Sequence, residues 1–293
     1  MSPKRYFLGI DSDGTVFDSM VIKHQRVFQP VAIEVWNLGS VEAQYCSIAE
    51  SINLYSVHRG INRFAGLAMI FDLLAKQSDE AKVLLEGQAD LQEYVHSGNA
   101  LSFAALANYN QSKQSTFLDK VLEWSLRSDS LYSDIMESKG NPVYPYVRKS
   151  LERASEHADI VVISSSSRKT LEDDWAKAGL LSLVTKIEGQ EQGSKTCQLR
   201  EALEAGYPDG CALMMGDALS DLEAAREHGM SFFPIIPRAE EESWEQFYGV
   251  ALARFFEGSY TGEYEQERLA EFEGTLVPDN EAVDFSEPVF QNS

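Results

Sequence analysis

The sequence predicts an α/β fold, in which a doubly wound parallel sheet is interrupted after its first strand by a helical insertion and followed by C-terminal helices. Two observations lead to this fold class. Short apolar runs that end at acidic or hydroxyl residues alternate with helical patterns along residues 142–237. A long segment after an earlier apolar run, at residues 6–10, has helical spacing and no strong strand pattern.

Four apolar runs are predicted to be strands, at residues 6–10, 160–163, 212–215 and 232–236. Their hydrophobicity is continuous rather than alternating, which is typical of strands buried on both faces of a parallel sheet. The first three runs end at Asp11, at the serine run that begins with Ser164, and at Gly216-Asp217. In an open α/β sheet, residues just beyond the carboxyl ends of the strands line the ligand crevice.

Helical spacing of apolar residues predicts helices at 146–157, 170–178 and 195–205, and in the insertion around 65–75 and 117–124. Gly140-Asn141-Pro142 is predicted to be a linker. The predicted domains are a discontinuous catalytic core at 1–18 and 142–237, a helical insertion at 19–141, and an acidic C-terminal extension at 238–293.

The extension contains an amphipathic pattern from Trp244 to Phe256, with apolar residues at i, i+3 and i+4. Such an aromatic stripe is predicted to pack on the core domain or on a partner subunit, because it would otherwise be an exposed apolar patch. A second helix is predicted around residues 264–272, and the residues from about Val277 are predicted to be weakly ordered.

Composition restricts the possible partners and compartment. The formal net charge of −21 argues against binding to nucleic acid or to an anionic membrane surface, and no apolar run is long enough to span a bilayer. Three cysteines without CxxC spacing indicate neither a disulfide framework nor a zinc site, so we expect a reducing cytoplasm. The oligomeric state is not indicated.

The segment Asp11-Ser-Asp13-Gly14-Thr15 places two carboxylates just beyond the first strand. A carboxylate can attack phosphorus to give an aspartyl phosphate, and a second one can protonate the leaving oxygen and later deprotonate water. Gly14 lets the backbone approach a phosphate closely. A turn or a structural metal site would also account for this pattern.

Two further positions are candidates for a functional role. Ser164 follows the second strand, where a hydroxyl and backbone N–H groups can bind phosphoryl oxygens, and Ser165 could take the same role. Lys195 stands at a predicted helix start, where its charge opposes the helix dipole. The alternatives are a simple polar loop and a solvated surface lysine.

Asp217 follows the third strand, and Asp221 lies one turn further on, at a predicted helix start. Asp221 could simply cap this helix. Together with Asp11, the two carboxylates offer the hard oxygen ligands that Mg²⁺ takes alongside water and a substrate phosphate. A divalent cation and a few basic residues would also let an anionic substrate bind within a negatively charged protein.

In this order, the four motifs resemble those of the haloacid dehalogenase-like hydrolase superfamily, in a β-phosphoglucomutase and phosphoglycolate phosphatase-like branch. The likeness covers residues 5–20 and 143–237, with the insertion in the place of the family's type 1 helical cap. It implies a Rossmann-like core and Mg²⁺. The resemblance also implies that Asp11 is the nucleophile and that Asp13 acts as acid and base. Ser164 would bind the phosphate, Lys195 would stabilise charge, and Gly14 and Thr15 would belong to the phosphate-binding motif. Asp217 and the Asp13 carbonyl would be metal ligands, with Asp221 near the metal or Lys195.

The insertion adds a weaker resemblance. Arg59-Gly-Ile-Asn-Arg63 is similar to the substrate loop of β-phosphoglucomutase-like members, so Arg59 and Arg63 are predicted to bind the substrate. Ion pairs within an acidic protein are the alternative. The insertion is about twice the usual length of a type 1 cap.

These observations predict a phosphatase that acts on a small phosphorylated metabolite. A phosphomutase would use the same nucleophile, and a catalytically silent phosphate-binding protein could share the fold.

Overall fold

The computed structural model of the protein describes residues 3–278, apart from the side chain of Lys139. This part of the chain forms two compact units. The first, here called the sheet unit, comprises the chain up to Met20 together with Lys139–Leu276. The second, the helical unit, comprises Val21–Ser138 together with Val277 and Pro278. The domain boundaries predicted from sequence stay predictions, but residues 238–276 of the extension lie within the sheet unit.

A five-stranded sheet forms the centre of the sheet unit. Its strands are β1 (Tyr6–Ile10), β2 (Ala158–Ile163), β3 (Lys186–Glu188), β4 (Ala212–Gly216) and β5 (Ser231–Pro234). Their order across the sheet is β3-β2-β1-β4-β5, and every neighbouring pair is parallel. The predicted parallel α/β sheet is therefore confirmed, with β3 as a strand that the sequence pattern did not indicate.

The described residues form fifteen α-helices, divided between the two units. Those of the helical unit are α1 (Met20–Lys23, which begins at the last residue of the sheet unit), α2 (Gln29–Trp36), α3 (Glu42–Glu50), α4 (Arg63–Gln77), α5 (Asp79–Leu84), α6 (Ala89–Val95), α7 (Phe103–Lys113) and α8 (Thr116–Lys139). Those of the sheet unit are α9 (Val147–Ser155), α10 (Arg168–Lys177), α11 (Lys195–Leu203), α12 (Leu219–Glu227), α13 (Glu240–Gln246), α14 (Leu252–Glu257) and α15 (Glu263–Thr275).

Several short segments wind differently. The π-helical segments are His24–Phe28, Ser51–Tyr55 and Phe247–Ala251, and the 3₁₀ segments are Leu38–Val41, Leu181–Leu183 and Gln190–Gln192.

Helices cover both faces of the sheet, because its strands are apolar on both sides. On one face, Leu8, Ile160 and Leu213 belong to a buried cluster that includes Trp175 of α10 and Trp244 of α13. On the other face, Gly9 lies against Leu199 of α11 and Met214, where an added Cβ would be 2.8 Å from the Met214 sulfur. This is the doubly wound arrangement that the sequence predicts.

The helical unit has a separate core, rich in aromatic side chains. Trp36, Phe71 and Phe117 pack with edge or tilted ring contacts, and Phe64 and Trp124 continue this cluster. In the part of the unit before residue 139, all regular elements are helices, as expected for the insertion.

The C-terminal extension packs within the sheet unit through α13, α14 and α15. Trp244, Phe255 and Phe272 are buried, so the aromatic stripe is covered within the chain. Val277 was expected to be weakly ordered, but its N–H donates to the Tyr55 carbonyl at 2.9 Å and its carbonyl accepts from Val57 N–H at 3.1 Å. The rest of that expectation, from residue 279 on, lies outside the described residues. Among residues 3–278, no helix is long and apolar enough to cross a bilayer.

Candidate active site

The carboxyl ends of β2, β1 and β4 bring the predicted motifs together. Because these strands are parallel neighbours, Asp11, Ser164 and Asp217 follow them at the same edge of the sheet. The N–H group of Asp11 donates to the Met215 carbonyl at 3.0 Å, which fixes the backbone of the first motif against β4. The edge therefore holds a polar site whose members are far apart in the sequence.

Lys195 connects two of the predicted carboxylates. Its Nζ donates to Asp11 Oδ1 at 2.8 Å and to Asp221 Oδ1 at 2.5 Å. Burial opposes the charge of this ammonium, but the Asp11 and Asp221 carboxylates raise the pKa of Lys195 above its usual value. Lys195 is thus a mostly buried cation, 13% exposed, that is held by two anions rather than being a solvated surface lysine.

The Asp221 carboxylate is fully buried and has both oxygens engaged. While Oδ1 accepts from Lys195, Oδ2 accepts from the N–H group of Ala218 at 3.2 Å, at the start of α12. Asp221 therefore caps its helix and also contacts Lys195, so the two alternatives that the sequence left open are compatible. Gly216 makes this approach possible, because a Cβ there would lie 2.4 Å from the Cβ of Asp221.

Thr15 places a hydroxyl between the remaining carboxylate oxygens. Its Oγ1 lies 3.1 Å from Asp217 Oδ1 and 3.3 Å from Asp11 Oδ2, within hydrogen-bond reach of both. Thr15, Asp11 and Asp217 are all buried. This hydroxyl thereby helps to separate two anionic side chains that approach each other at the strand ends.

The acidic side chains have the chemistry of a divalent cation site. Oxygens of Asp11, Asp217 and Asp221 all lie within 4.8 Å of one another. Burial raises the pKa of Asp11 well above its usual value, the nearby Asp221 and Asp217 carboxylates add to the rise, and Lys195 opposes it. A cation held by Asp11 and Asp217 would relieve this repulsion, and hard carboxylate oxygens suit Mg²⁺.

Asp13 is half-buried, and hydroxyl groups bind both of its carboxylate oxygens. Ser19 Oγ donates to Oδ1 at 2.6 Å, and Ser166 Oγ donates to Oδ2 at 2.9 Å. Sequence analysis did not identify either serine as part of the site. Ser166 lies in the noted serine run, but Ser165 was selected instead, and Ser19 stands six residues beyond Asp13 with no pattern to mark it.

Ser164 is buried at the end of β2, and its Oγ accepts from the N–H group of Ser166 at 3.2 Å. Ser165 is exposed. The backbone of Ser164 is bound by the carboxamide of Gln198, a fully buried residue of α11 that sequence analysis also missed. Gly14 has a φ of 77°, which favours glycine, and its N–H donates to the Phe17 carbonyl at 2.9 Å.

Two buried tryptophans donate hydrogen bonds to the first motif. Trp175 Nε1 donates to Ser12 Oγ at 3.1 Å, and Trp244 Nε1 donates to the Thr15 carbonyl at 2.7 Å. Because Trp244 belongs to α13, the C-terminal extension directly contacts the segment that carries Asp11 and Asp13.

The predicted arginines belong to the helical unit. Arg59 is buried, and its Nη1 donates to the Leu54 carbonyl at 2.8 Å. Arg63 Nη1 donates to Asp129 Oδ1 at 2.7 Å, and the guanidinium lies 5.1 Å from the centre of the Phe28 ring. Both arginines thus have contacts within their own unit, and their role in substrate binding stays a prediction.

Comparison with solved structures places this architecture among known folds. A predicted phosphoglycolate phosphatase from Haemophilus somnus is 15% identical and aligns over 81% of this chain and 91% of its own, with a TM-score of 0.51. A candidate phosphoglycolate phosphatase from Lactobacillus delbrueckii is 15% identical, with 89% and 100% coverage and a TM-score of 0.52. A haloacid dehalogenase-like family hydrolase from Streptococcus pneumoniae is 14% identical, with 82% and 90% coverage and a TM-score of 0.44.

These likenesses concern the fold. The chain has the Rossmann-like α/β fold that its sequence predicted, and it shares this fold with the two structures from Haemophilus somnus and Lactobacillus delbrueckii. No protein-family model and no curated protein sequence matches the chain.

Proposed function

We propose that the protein is a Mg²⁺-dependent phosphatase that hydrolyses a small phosphate ester through an aspartyl-phosphate intermediate. One observation carries this proposal: buried Asp11 is bound by the Lys195 ammonium beside the carboxylates of Asp217 and Asp221, at the edge of the sheet where β1 ends. This arrangement supports a carboxylate nucleophile in a site that can neutralise the charge of a phosphoryl group.

In the first step, an oxygen of the Asp11 carboxylate attacks phosphorus and the bond from phosphorus to the ester oxygen breaks. Asp13, in its protonated form, gives its proton to the leaving oxygen. In the second step, Asp13 takes a proton from water as that water attacks phosphorus, which releases inorganic phosphate and restores the Asp11 carboxylate. One carboxyl group therefore acts first as acid and then as base.

The other polar residues would hold the charge that moves during these steps. Lys195 and the groups at Ser164 would stabilise the phosphoryl oxygens, as a preorganised positive and hydrogen-bonding environment. Asp221 would hold Lys195 in place. Gly14 would leave room for the phosphate, and the Thr15 hydroxyl would keep Asp11 and Asp217 in position. The hydroxyl of exposed Ser165 is a further proposed substrate contact.

The site would bind Mg²⁺ through the carboxylates of Asp11 and Asp217 and the backbone carbonyl of Asp13. When bound, the ion would supply positive charge that lowers the repulsion between the phosphoryl group and Asp11. Asp221 uses both carboxylate oxygens on Lys195 and Ala218, which favours an indirect role for it.

The test is phosphate release from a panel of phosphorylated sugars and small acids and from p-nitrophenyl phosphate, with and without Mg²⁺. Phosphoglycolate belongs in the panel because two solved structures that align with TM-scores above 0.5 are described as candidate phosphatases for it. We expect Mg²⁺-dependent release, abolished by EDTA and restored by excess Mg²⁺, and its loss in Asp11→Asn. Full activity in excess EDTA, or in Asp11→Asn, would refute the proposal.

A further inference from the structure

Gln198 is a fully buried side chain that bridges two segments at the carboxyl edge of the sheet. Its Oε1 accepts from the Ser164 N–H group at 3.0 Å. Its Nε2 lies 2.9 Å from the Ser164 carbonyl, 2.9 Å from the Gly189 carbonyl and 3.0 Å from the Gly193 carbonyl. One carboxamide therefore contacts four backbone groups. Two of them also have a backbone partner, because the Ser164 N–H group donates to the Glu188 carbonyl and the Gly189 carbonyl accepts from the Gln192 N–H group.

These backbone groups belong to the segments that carry Ser164 and Lys195. Ser164 is the first residue of the serine run after β2. Gly193 stands two residues before Lys195, and Gln198 follows Lys195 by three residues, so both side chains lie on the same side of α11. A change at Gln198 would therefore alter the segment before Lys195 and the segment of Ser164 together.

We propose that Gln198 is a positioning residue, which fixes the Ser164 segment (164–167) relative to the Lys195 segment (189–195). It does not contact the reacting atoms, so its effect on catalysis would pass through Ser164 and Lys195. This inference rests on the phosphatase function proposed above, in which these two residues stabilise the same phosphoryl group. Small displacements of such groups weaken transition-state stabilisation strongly.

The chemistry of the four contacts explains why a glutamine suits this position. The carboxamide offers one acceptor to an N–H group and two hydrogens to three carbonyls, which share them. Glutamate would place an acceptor against those carbonyls, and asparagine is shorter by one methylene. Methionine has a similar length and shape but would make none of the hydrogen bonds.

The test compares Gln198→Met with a matched control in the helical unit. Buried Asn110 also bridges backbone: its Oδ1 accepts from Ser115 N–H at 2.8 Å, and its Nδ2 donates to the Ser115 carbonyl at 3.1 Å. Asn110→Leu is the control, because it removes similar contacts within the helical unit. Both variants are assayed with p-nitrophenyl phosphate and Mg²⁺ at a temperature where circular dichroism shows them fully folded.

We expect Gln198→Met to lower kcat by about 10- to 100-fold, and Asn110→Leu to keep it within about twofold of the wild type. In a Ser164→Ala background, the additional effect of Gln198→Met should shrink, because the two residues act through one contact. An unchanged kcat in Gln198→Met, or equal losses in the two variants, would overturn the positioning role.

Hydrogen–deuterium exchange gives a readout that does not depend on activity. Peptides covering 164–167 and 189–195 should exchange faster in Gln198→Met than in the wild type, and should be unchanged in Asn110→Leu. Unchanged exchange in Gln198→Met would overturn the inference whatever the activity. A wild type that releases no phosphate from any ester would refute the proposed phosphatase, while faster exchange of both segments would still support their connection through Gln198.

Discussion

Lys195 is the cation that offsets part of the negative charge of the site. It contacts Asp11 and Asp221, while Asp217 approaches the same group of oxygens. A lysine that contacts a single carboxylate would form a neutral pair, whereas here one ammonium contacts two buried carboxylates and a third lies beside them. The remaining negative charge makes a divalent cation the natural complement to this site.

At the residue scale, we predict that Gly216 is needed for the position of the Asp221 carboxylate, because Asp221 packs directly against the Gly216 Cα. Gly216→Ala would force the Asp221 carboxylate away from Lys195, since the added Cβ would lie 2.3 Å from Asp221 Oδ2. We expect a loss of stability of about 1–3 kcal/mol and at least a tenfold loss of kcat, measured by chemical unfolding and by phosphate release.

Gly249 provides the control for this substitution. It lies in the π-helical segment of the extension, has no positive φ, and an added Cβ would meet no atom within 4 Å. Gly249→Ala should therefore leave kcat unchanged and keep stability or increase it slightly. If Gly216→Ala were as active and as stable as Gly249→Ala, the packing of Asp221 would not matter to the site.

The ionisable residues of the site could be identified from the sequence. Several neutral residues that form hydrogen bonds to the site could not. Asp11, Asp217 and Asp221 follow strand ends or begin a helix, and those positions can be predicted from hydrophobic patterns. Ser19, Ser166 and Gln198 act through side-chain directions and distances across separate loops, which no local pattern specifies. A polar residue three positions after Lys195, within a helix that packs on the sheet, was the available signal for Gln198.

At the scale of elements, long apolar runs were predicted well and β3 was missed. Lys186–Glu188 has three residues, two of them charged, so it has no apolar run. This segment is a strand because it pairs with β2, where Val162 lies opposite Ile187 and Ile163 lies opposite Glu188. Tertiary pairing decides the conformation of such short segments.

The extension is predicted to support catalysis through α13. Trp244→Phe keeps an aromatic ring in the core but removes the hydrogen bond to the Thr15 carbonyl. We expect a loss of about 1–3 kcal/mol in stability, because a buried carbonyl loses its partner. We also expect kcat to fall by about tenfold, because the Thr15 hydroxyl lies between Asp11 and Asp217.

Trp124→Phe is the matched control for that prediction. In the helical unit, Trp124 Nε1 donates to the Phe28 carbonyl at 3.0 Å, so the substitution removes the same type of hydrogen bond. It should cost similar stability and leave hydrolysis of p-nitrophenyl phosphate unchanged. If Trp244→Phe and Trp124→Phe had the same kcat, α13 would stabilise the sheet unit without influencing the site.

At the scale of the whole molecule, we propose that the two units have different roles, one in the reaction chemistry and the other in substrate binding. The sheet unit contains every residue to which we assign reaction chemistry, and the helical unit contains the two predicted substrate-binding arginines. Binding energy from a remote part of the substrate can be used to lower the barrier at the reacting phosphorus. A compact aryl phosphate offers little of this remote binding.

Arg63→Ala tests this division. We expect kcat/KM for the best substrate of the ester panel to fall by about tenfold or more, and that for p-nitrophenyl phosphate to change by less than about threefold. Asp129→Ala removes the exposed ion pair but keeps the guanidinium, so it should have a small effect on both substrates. Equal losses in both variants and on both substrates would assign Arg63 a structural role.

The central claim is that Asp11 becomes phosphorylated, and borohydride trapping tests it most directly. Borohydride reduces an acyl phosphate to an alcohol, so quenching during turnover should convert Asp11 to homoserine within the tryptic peptide 6–23. Tandem mass spectrometry should locate the change at Asp11, and only when ester and Mg²⁺ are both present. An enzyme that turns over while Asp11 remains aspartate, or in which another residue is modified, would contradict the account.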